Sequence, residues 1–482
     1  MEKVEWKKDV PVVGNYDVVV CGGGPAGFIA AVAAAREGAR VALVEQYGFL
    51  GGMATMGYVA PLSVFTYNGA QVIGGIPWEF VQRLEAMGGG YVERPLGNVA
   101  FDPELYKLCV QRMVLEAGVA LYLHACFSGC RMDGGRVTHV FIESKNGTEA
   151  LAAKVFIDAT GDADLAASAG VPMQPREQVP ASADGAASGA SGPAAVAASF
   201  VPAPLQPVST YFILSGVDTA APRIREAMHH NRQGVNCQCE SIRAELLAHA
   251  DEWGLPDFGG PWFCTTLHEG SVTVNMTRTS VDACDNRAFG AAECRLREDV
   301  FRMAAVLREH FPEFRNSYVS AVAPHAGVRE TRRILGVHTI TAEEYVSGYR
   351  YEDSVSRGAH PIDIHASTGS SQQLTFLEQP AYVPYRALIA KDFPNLLVAG
   401  RCLSADRAAF ASLRVQASCM GTGQAAGLAA AQACGAPAAI QAGTESGGSA
   451  LPDDAFGRAL PDVRTLPAAP LIARLKALGA AL

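Results

Sequence analysis

The sequence lacks the features that mark several classes of protein. None of its twelve cysteines belongs to a CxxC pair, so there is no local ligand set for a zinc ribbon or an iron–sulfur cluster. No apolar run reaches the roughly 20 residues that a membrane helix needs, and the N-terminal segment MEKVEWKKDV is charged. We therefore expect no metal site and no membrane partner, and the cytoplasm is the expected compartment.

A basic surface is missing as well. The chain of 482 residues has 39 basic and 48 acidic side chains, a net charge of −9, and no long basic run. This balance argues against nucleic acid or an anionic membrane as the main partner. Hydrophobic residues make up 49% of the chain, which is typical of a globular protein with a large core, and the length suggests two compact units. Self-association is left open.

The strongest motif that is present covers residues 16–45. An apolar strand is followed by a glycine turn, an alanine-rich helix and a second apolar strand that ends on Glu45. Gly22 allows a tight turn, Gly24 lets the backbone approach a pyrophosphate, and Gly27 lets helix and strand pack closely. The amides at the helix start would face phosphates, and Glu45 would accept ribose hydroxyls. The motif therefore predicts a bound dinucleotide.

The first third of the chain continues with elements of the same unit. Gly51 and Gly52 form a loop where the phosphates and flexible arm of a cofactor would pass, or a plain turn. Residues 101–118 have the start signal and the apolar spacing of a helix. Residues 119–153 alternate like an antiparallel meander, and the apolar strand 154–159 is expected to return to the main sheet.

The middle of the chain has a different pattern. Residues 176–204 are dominated by alanine, serine, glycine and proline, which predicts a flexible insertion. Residues 208–388 contain alternating strands, a hairpin turn at 268–270 and a helix at 287–310, so an antiparallel sheet with flanking helices is expected there.

The last part predicts a buried strand at 395–400, a helix of very small residues at 421–433 and a short amphipathic helix at 470–478. Three segments of the chain together resemble the FAD-dependent oxidoreductase family of the glutathione-reductase and fumarate-reductase-like superfamily. They are the fingerprint at 16–45, FIDATGDADLA and VAGRCLSADRAAFASLRVQASCMGTGQAAG, and the inner segments GVRETRRI and PIDIHAS are also similar to that family.

The resemblance implies an α/β fold, with α+β character in the second domain. A Rossmann-like FAD-binding domain would carry an inserted substrate domain built on an antiparallel sheet. The expected boundaries are 14–175 and 389–440 for the discontinuous FAD domain, 176–204 for the insertion, 205–388 for the substrate or cap domain and 441–482 for the tail.

The resemblance also implies which residues bind the cofactor. Asp158 and its neighbours would lie near the dinucleotide, and the helix opening near Gly421 would aim its positive end at the flavin ring. Met53 cannot form a covalent link to the ring, so non-covalent FAD is expected, with Cys402 as the one nearby doubt. The expected cofactor-binding residues are Gly22, Gly24, Pro25, Ala26, Gly27, Glu45, Gln46, Gly51, Gly52, Met53, Ala54, Thr55, Ala159, Gly161, Asp162, Gly400, Arg401, Gly421 and Gly423.

Three residues are the candidates for chemistry. Read as a strand, RETRRI puts Arg329 and Arg333 on one face, where Arg329 could bind an anionic substrate or form an interdomain ion pair. His365, in an apolar run, suits proton transfer but could be a satisfied core histidine. Arg414 occupies a position like that of a carboxylate-binding arginine in fumarate-reductase-like enzymes, or braces a helix. Weaker candidates are His325, Arg332, His338, His360, Asp363, Tyr385 and Arg386.

These residues favour an FAD-dependent dehydrogenase or oxidase that takes hydride from a small polar metabolite, such as a sugar derivative or a carboxylate. A reductase of an activated alkene is the alternative, and a flavoprotein acting on RNA is a remote one, given the net charge of −9. The sequence has one complete nucleotide fingerprint, so it implies no built-in NAD(P)H domain, and the electron acceptor stays unknown.

Overall fold

The computed structural model describes residues 4–5, 7–94, 97–180, 200–229, 239–436 and 460–482. The strands are β1 (Val12–Cys21), β2 (Val41–Val44), β3 (Thr66–Tyr67), β4 (Ala70–Gln71), β5 (Gly90–Glu93), β6 (Asn98–Phe101), β7 (Ala120–Tyr122), β8 (Cys126–Asp133), β9 (Arg136–Ser144), β10 (Gly147–Asp158), β11 (Gln178–Pro180), β12 (Phe200–Pro202), β13 (Phe212–Ser215), β14 (Phe258–Thr265), β15 (Ser271–Thr277), β16 (Tyr318–Val322), β17 (Ser354–Gly358), β18 (Ile362–His365), β19 (Gln372–Thr375), β20 (Ala381–Pro384) and β21 (Leu396–Val398). The helices are α1 (Pro25–Arg36), α2 (Ile76–Ala86), α3 (Pro103–Glu116), α4 (Asp164–Ala169), α5 (Pro222–His229), α6 (Glu240–Ala248), α7 (Asn286–His310), α8 (Ala342–Val346), α9 (Arg407–Leu413), α10 (Gln416–Ala433) and α11 (Ala468–Ala477).

The main sheet has the strand order β7-β2-β1-β10-β9-β8, with β21 also pairing with β10. β1 is parallel to both β2 and β10, and β7 and β21 are parallel to their neighbours. The inner residues of β1, β10 and β21 are completely buried, and α1 and α10 pack on this part of the sheet. The protein is thus a mixed α/β protein with a Rossmann-like parallel core and additional antiparallel sheets, which confirms the predicted fold class.

β10 joins the two parts of this sheet. Its first half pairs antiparallel with β9, which itself pairs with β8, and its last three residues pair parallel with β21. The expected meander is therefore present. The strand expected at 154–159 does return to the main sheet, but it is not separate from the meander: it is the end of one unbroken strand of twelve residues.

A second sheet, of order β14-β15-β13-β16, is entirely antiparallel. It packs against α7, whose buried Leu307, Met303 and Val300 belong to the same apolar core as Phe212 and Phe263. The expected helix at 287–310 and the hairpin turn at 268–270 are confirmed. Residues between Ile334 and Ala390 contribute instead to the larger core of the main sheet. The domain boundaries given above stay a prediction.

Other expected elements are also present. Asp102 caps α3 by accepting hydrogen bonds from the backbone N–H groups of Glu104 and Leu105, and α11 is the expected amphipathic helix. Two expected segments lie largely outside the described residues. They are the flexible insertion, of which 181–199 are not described, and the first part of the tail, which falls within 437–459. Across the part of the chain that the structure describes, no helix has both the length and the apolar character needed to cross a bilayer.

Candidate functional site

The glycine turn after β1 has the geometry that its sequence predicts. Gly22 has φ of +98°, and a Cβ atom on it would lie 2.5 Å from the carbonyl oxygen of Ala159. Gly24 is the N-cap of α1, and Pro25 is its first residue. A Cβ atom on Gly27 would lie only 1.8 Å from the carbonyl oxygen of Gly22. Gly27 therefore permits the close packing of α1 on β1, as expected.

Glu45 follows β2 and connects the loops around this turn. Its Oε2 accepts a hydrogen bond from the backbone N–H of Gly23 at 2.8 Å, and its Oε1 accepts one from Tyr47 at 3.0 Å. Burial raises the pKa of the carboxyl group, and these hydrogen bonds oppose that rise. The carboxylate thus holds the glycine turn against the end of β2.

The loop at Gly51 and Gly52 packs against the same turn. The N–H of Gly51 donates to the carbonyl oxygen of Gly23 at 2.9 Å. Both glycines have positive φ, and a Cβ atom on Gly52 would lie 2.7 Å from the Cα of Gly24. Side chains at these positions would push this loop away from the start of α1.

These segments enclose a cavity of about 170 Å³, which we call the small cavity. Most of the expected cofactor-binding residues line it. They are Gly22, Gly24, Pro25, Ala26, Glu45, Gln46, Gly52, Met53, Ala159, Gly161, Asp162, Gly400 and Arg401. The remaining ones do not line it: Gly27, Gly51, Ala54, Thr55, Gly421 and Gly423.

The expectation for Gly421 and Gly423 is wrong because α10 begins at Gln416, one and a half turns earlier than predicted. Both glycines lie inside the helix. A Cβ atom on Gly423 would lie 2.1 Å from the carbonyl oxygen of Ala26, and one on Gly421 would lie 2.3 Å from Oγ of Ser356. They serve close packing against α1 and β17, whereas the helix start that adjoins the cavity is at Gln416.

A second cavity, of about 440 Å³, adjoins the first; we call it the large cavity. Five residues line both cavities: Met53, Val328, Arg401, Arg414 and Gln416. Three of these carry a buried polar atom for which the described residues provide no hydrogen-bond partner, namely Arg401 Nη1, Arg414 Nε and Gln416 Oε1. Unpaired buried polar atoms are rare in native proteins, so the grouping of three at one junction makes this junction a candidate ligand site.

Two of the expected catalytic residues, Arg329 and Arg414, line the large cavity. Arg329 is buried and uses only Nη1, which donates to the carbonyl oxygen of Pro207 at 2.7 Å and to Ser209 Oγ at 2.8 Å. Within the described chain it has no carboxylate partner, and burial lowers its pKa. Arg414 donates to the carbonyl oxygen of Asp363 at 3.0 Å and lies 3.4 Å from its Oδ2.

His365 also lines this cavity, but its ring is fully engaged. A guanidinium can only donate, so Nδ1 accepts from Arg278 Nη2 at 3.0 Å, and Nε2 donates to Asp363 Oδ2 at 3.0 Å. Burial, with the nearby charge of Arg329, lowers the pKa of His365 to about 3. The expected proton-transfer role of His365 is therefore corrected. The neutral ring positions Asp363, and neither nitrogen is left for a substrate.

The segment RETRRI forms no regular strand, so the predicted alternation is wrong. Arg333 does not share a face with Arg329; it pairs with Glu330 at 2.9 Å, and Arg332 pairs with Asp164. Arg332 and Arg333 thus each form a structural ion pair with a carboxylate. Among the weaker candidates, His325 lines the small cavity and His360 and Asp363 the large one, whereas His338, Tyr385 and Arg386 line neither.

Sequence reasoning missed several residues of the site. Arg278 lies behind the lining residue His365 without any motif to mark it, and the lining residues Trp262 and Asn275 come from the second sheet. Cys126 and Cys419 line the small cavity, whereas the suspected Cys402 is fully buried with its Sγ 3.7 Å from Asp158 Oδ1. Only Gln416 had a local signal, since it precedes the run of small residues that forms α10.

Comparisons with known proteins identify the family of the chain. The model of the family described as FAD dependent oxidoreductase matches residues 17–442. Dihydrolipoyl dehydrogenase of Trypanosoma brucei brucei is 49% identical over 47 residues, which is 10% of this chain and 10% of that protein. The chain thus matches about a tenth of the length of that curated relative.

Among solved structures, the flavin-dependent brominase Bmp2 is 13% identical, with 87% of this chain and 80% of that chain covered and a TM-score of 0.44. A geranylgeranyl bacteriochlorophyll reductase-like protein from Thermoplasma acidophilum is 14% identical, with 87% and 78% covered and a TM-score of 0.39.

Proposed function

Because the chain belongs to the family of FAD-dependent oxidoreductases, we propose that it is a dehydrogenase or oxidase that acts on a small polar metabolite in the large cavity. When FAD is bound, its flavin ring can accept a hydride, which carries two electrons. The observation that carries this proposal is the junction of the two cavities, where Arg401, Arg414 and Gln416 line both sides. A cofactor in one cavity would meet a substrate in the other there.

We propose that FAD binds in the small cavity and at this junction, and the residues present fit it. The glycines of the turn and the loop leave backbone surface open, which suits a pyrophosphate. At the junction, Arg401 Nη1 and Arg414 Nε can donate hydrogen bonds and Gln416 Oε1 can accept one. α10 starts at Gln416 without a side-chain cap, so its free N–H groups favour negative charge beside the ring.

The substrate that suits the large cavity is an anion. Arg329 and Arg414 line it, Arg278 lies behind the lining residue His365, and Asp363 is the one carboxylate that the ion pairs of the described residues assign to these three arginines. Buried charges normally have partners, because an isolated one is costly to remove from water. A carboxylate on the substrate would balance the excess, and the planar guanidinium groups suit its two oxygens.

The alternative is a reductase of an activated alkene. The same two arginines, Arg329 and Arg414, favour it, since the carboxylate of an unsaturated acid would bind them equally well. The two functions differ in the direction of electron flow: a dehydrogenase substrate reduces the oxidised flavin, whereas an alkene reoxidises the reduced flavin.

Anaerobic absorbance measurements test both. The purified protein should show flavin absorbance or gain it when FAD is added. A panel of hydroxy acids and sugar acids, with their neutral alcohols as matched controls, should contain compounds that bleach the oxidised flavin. Unsaturated acids should be tested on the reduced flavin. A protein that neither carries nor binds FAD would refute the proposal, and bleaching by neutral alcohols alone would refute the anionic substrate.

A further inference from the structure

His360 and His365 line the large cavity, and His360, which lies between β17 and β18, is the one of the two with a ring nitrogen available to a substrate. Two residues from other parts of the chain hold the backbone of His360 in place. The hydroxyl of Ser412 donates to the carbonyl oxygen of His360, and Ser412 Oγ lies 2.8 Å from the hydroxyl of the buried Tyr345. This position in the wall of the cavity is therefore rigidly supported by α8 and α9.

The hydrogen bond of its ring determines the tautomer. Nδ1 of His360 lies 2.8 Å from the carbonyl oxygen of Pro361. A carbonyl can only accept, so Nδ1 carries the hydrogen, and in the neutral ring the lone pair is on Nε2. No hydrogen bond of Nε2 to another described residue is found, and Nε2 is not among the fully enclosed polar atoms. Nε2 is thus in contact with the open space of the cavity.

This geometry is the opposite of that of His365, in which both ring nitrogens are bonded. The charged groups that act on His360 are Asp363 on β18 and Arg414 at the end of α9. Burial lowers the pKa of His360; Asp363 acts against this change and Arg414 adds to it. The ring is therefore neutral near pH 7 and able to accept a proton.

We propose that Nε2 of His360 is the proton acceptor for the oxidation of a substrate hydroxyl group in the large cavity. The inference rests on the proposed function. The O–H and C–H bonds of the substrate break, a C=O bond and an N–H bond on His360 form, and the hydride with its two electrons goes to bound FAD. Electrons and protons balance without any further reactant.

The kinetic test uses the FAD-loaded protein and a metabolite that bleaches it, mixed anaerobically in a stopped-flow instrument. In the wild type, the rate of bleaching should fall in acid as His360 becomes protonated, at a pH below the ordinary titration range of histidine, because burial lowers the pKa of His360. In His360→Asn the rate should be about 10²–10⁴-fold lower and should lose this acid dependence, with the flavin spectrum unchanged. Exposed His249 provides the matched control His249→Asn, which should behave like the wild type. An unchanged rate and pH profile in His360→Asn would overturn the inference.

A second measurement needs no substrate. Diethyl pyrocarbonate modifies accessible unprotonated imidazole nitrogens, and peptide mass spectrometry locates the modified residues. At pH 7, His360 should be modified and His365 should not. The reverse pattern would overturn the assignment to His360 by itself, whereas failure of every metabolite to bleach the wild-type flavin would count against the proposed function.

Discussion

The two cavities meet at one junction, yet they are built in different ways. The small cavity is formed around the glycine turn and the loop that packs on it, and its one buried carboxylate, Glu45, binds backbone N–H groups. The large cavity is lined by apolar, aromatic and charged side chains from distant parts of the chain, with more buried positive than negative charge. A family that keeps one cofactor and changes substrates can preserve the first kind of wall and vary the second.

The comparison predicts different consequences for mutation. Changes to the small cavity should alter packing, and with it stability and FAD binding. Changes to the large cavity should alter catalysis and leave the fold nearly intact, since a buried charge without a partner contributes little to stability. Three substitutions test this contrast, from the largest expected effect to the smallest.

Gly423→Ala should have the largest effect, although Gly423 does not line the small cavity itself but packs behind the lining residue Ala26. The added methyl group would lie 2.1 Å from the carbonyl oxygen of Ala26, so α1 and α10 must separate. We expect the free energy of unfolding to fall by about 3 kcal/mol and FAD to be lost, as measured by denaturant unfolding and flavin absorbance. The matched control is Gly290→Ala in α7, where nothing lies within 4 Å; it should stabilise the protein by about 0.5–1 kcal/mol. Equal behaviour of the two variants would contradict the packing argument.

Arg329→Met should separate function from stability. We expect kcat/KM for an anionic substrate to fall about 100-fold, because a charged hydrogen bond is lost, while flavin content is retained. The free energy of unfolding should change by less than about 1 kcal/mol, since Arg329 has no carboxylate partner among the described residues.

The control for that variant is Arg333→Met. Arg333 is equally buried, but it pairs with the buried Glu330, so its removal should lower the free energy of unfolding by about 3 kcal/mol. If Arg329→Met destabilised the protein as much as Arg333→Met, Arg329 would be a structural residue, and the large cavity would not be a site whose residues serve catalysis alone.

Glu45→Gln should have the smallest effect. The amide keeps the shape of the side chain but loses the charge and one acceptor for the N–H groups of Gly23 and Tyr47. We expect the Kd for FAD to rise about tenfold, as measured by fluorescence titration of the apoprotein, and Glu45→Ala to raise it further. Unchanged affinity in both variants would remove Glu45 from the cofactor site.

The same contrast explains how much the sequence could predict. The turn at Gly22, the capped start of α3 and the helix at 286–310 depend on neighbours a few residues away, so their patterns were sufficient. The start of α10 was misplaced because Val415 gives no capping signal. The role of His365 depends on the ring nitrogen that accepts from Arg278, and the role of His360 on the ring nitrogen that donates to a carbonyl group. The spacing of residues in the sequence does not contain this information.

The contact of α10 with the N-terminal elements has a consequence for synthesis on the ribosome. Gln424 Oε1 accepts the N–H of Ile76 at the start of α2, 348 positions earlier, and the neighbouring Gly423 touches α1. At a translation rate of about 5–20 residues per second, the first helices would wait on the order of 20 to 70 s for this partner. Until then the apolar side of α1 has no cover from α10, so we expect the nascent chain to expose apolar surface until α10 has left the ribosome.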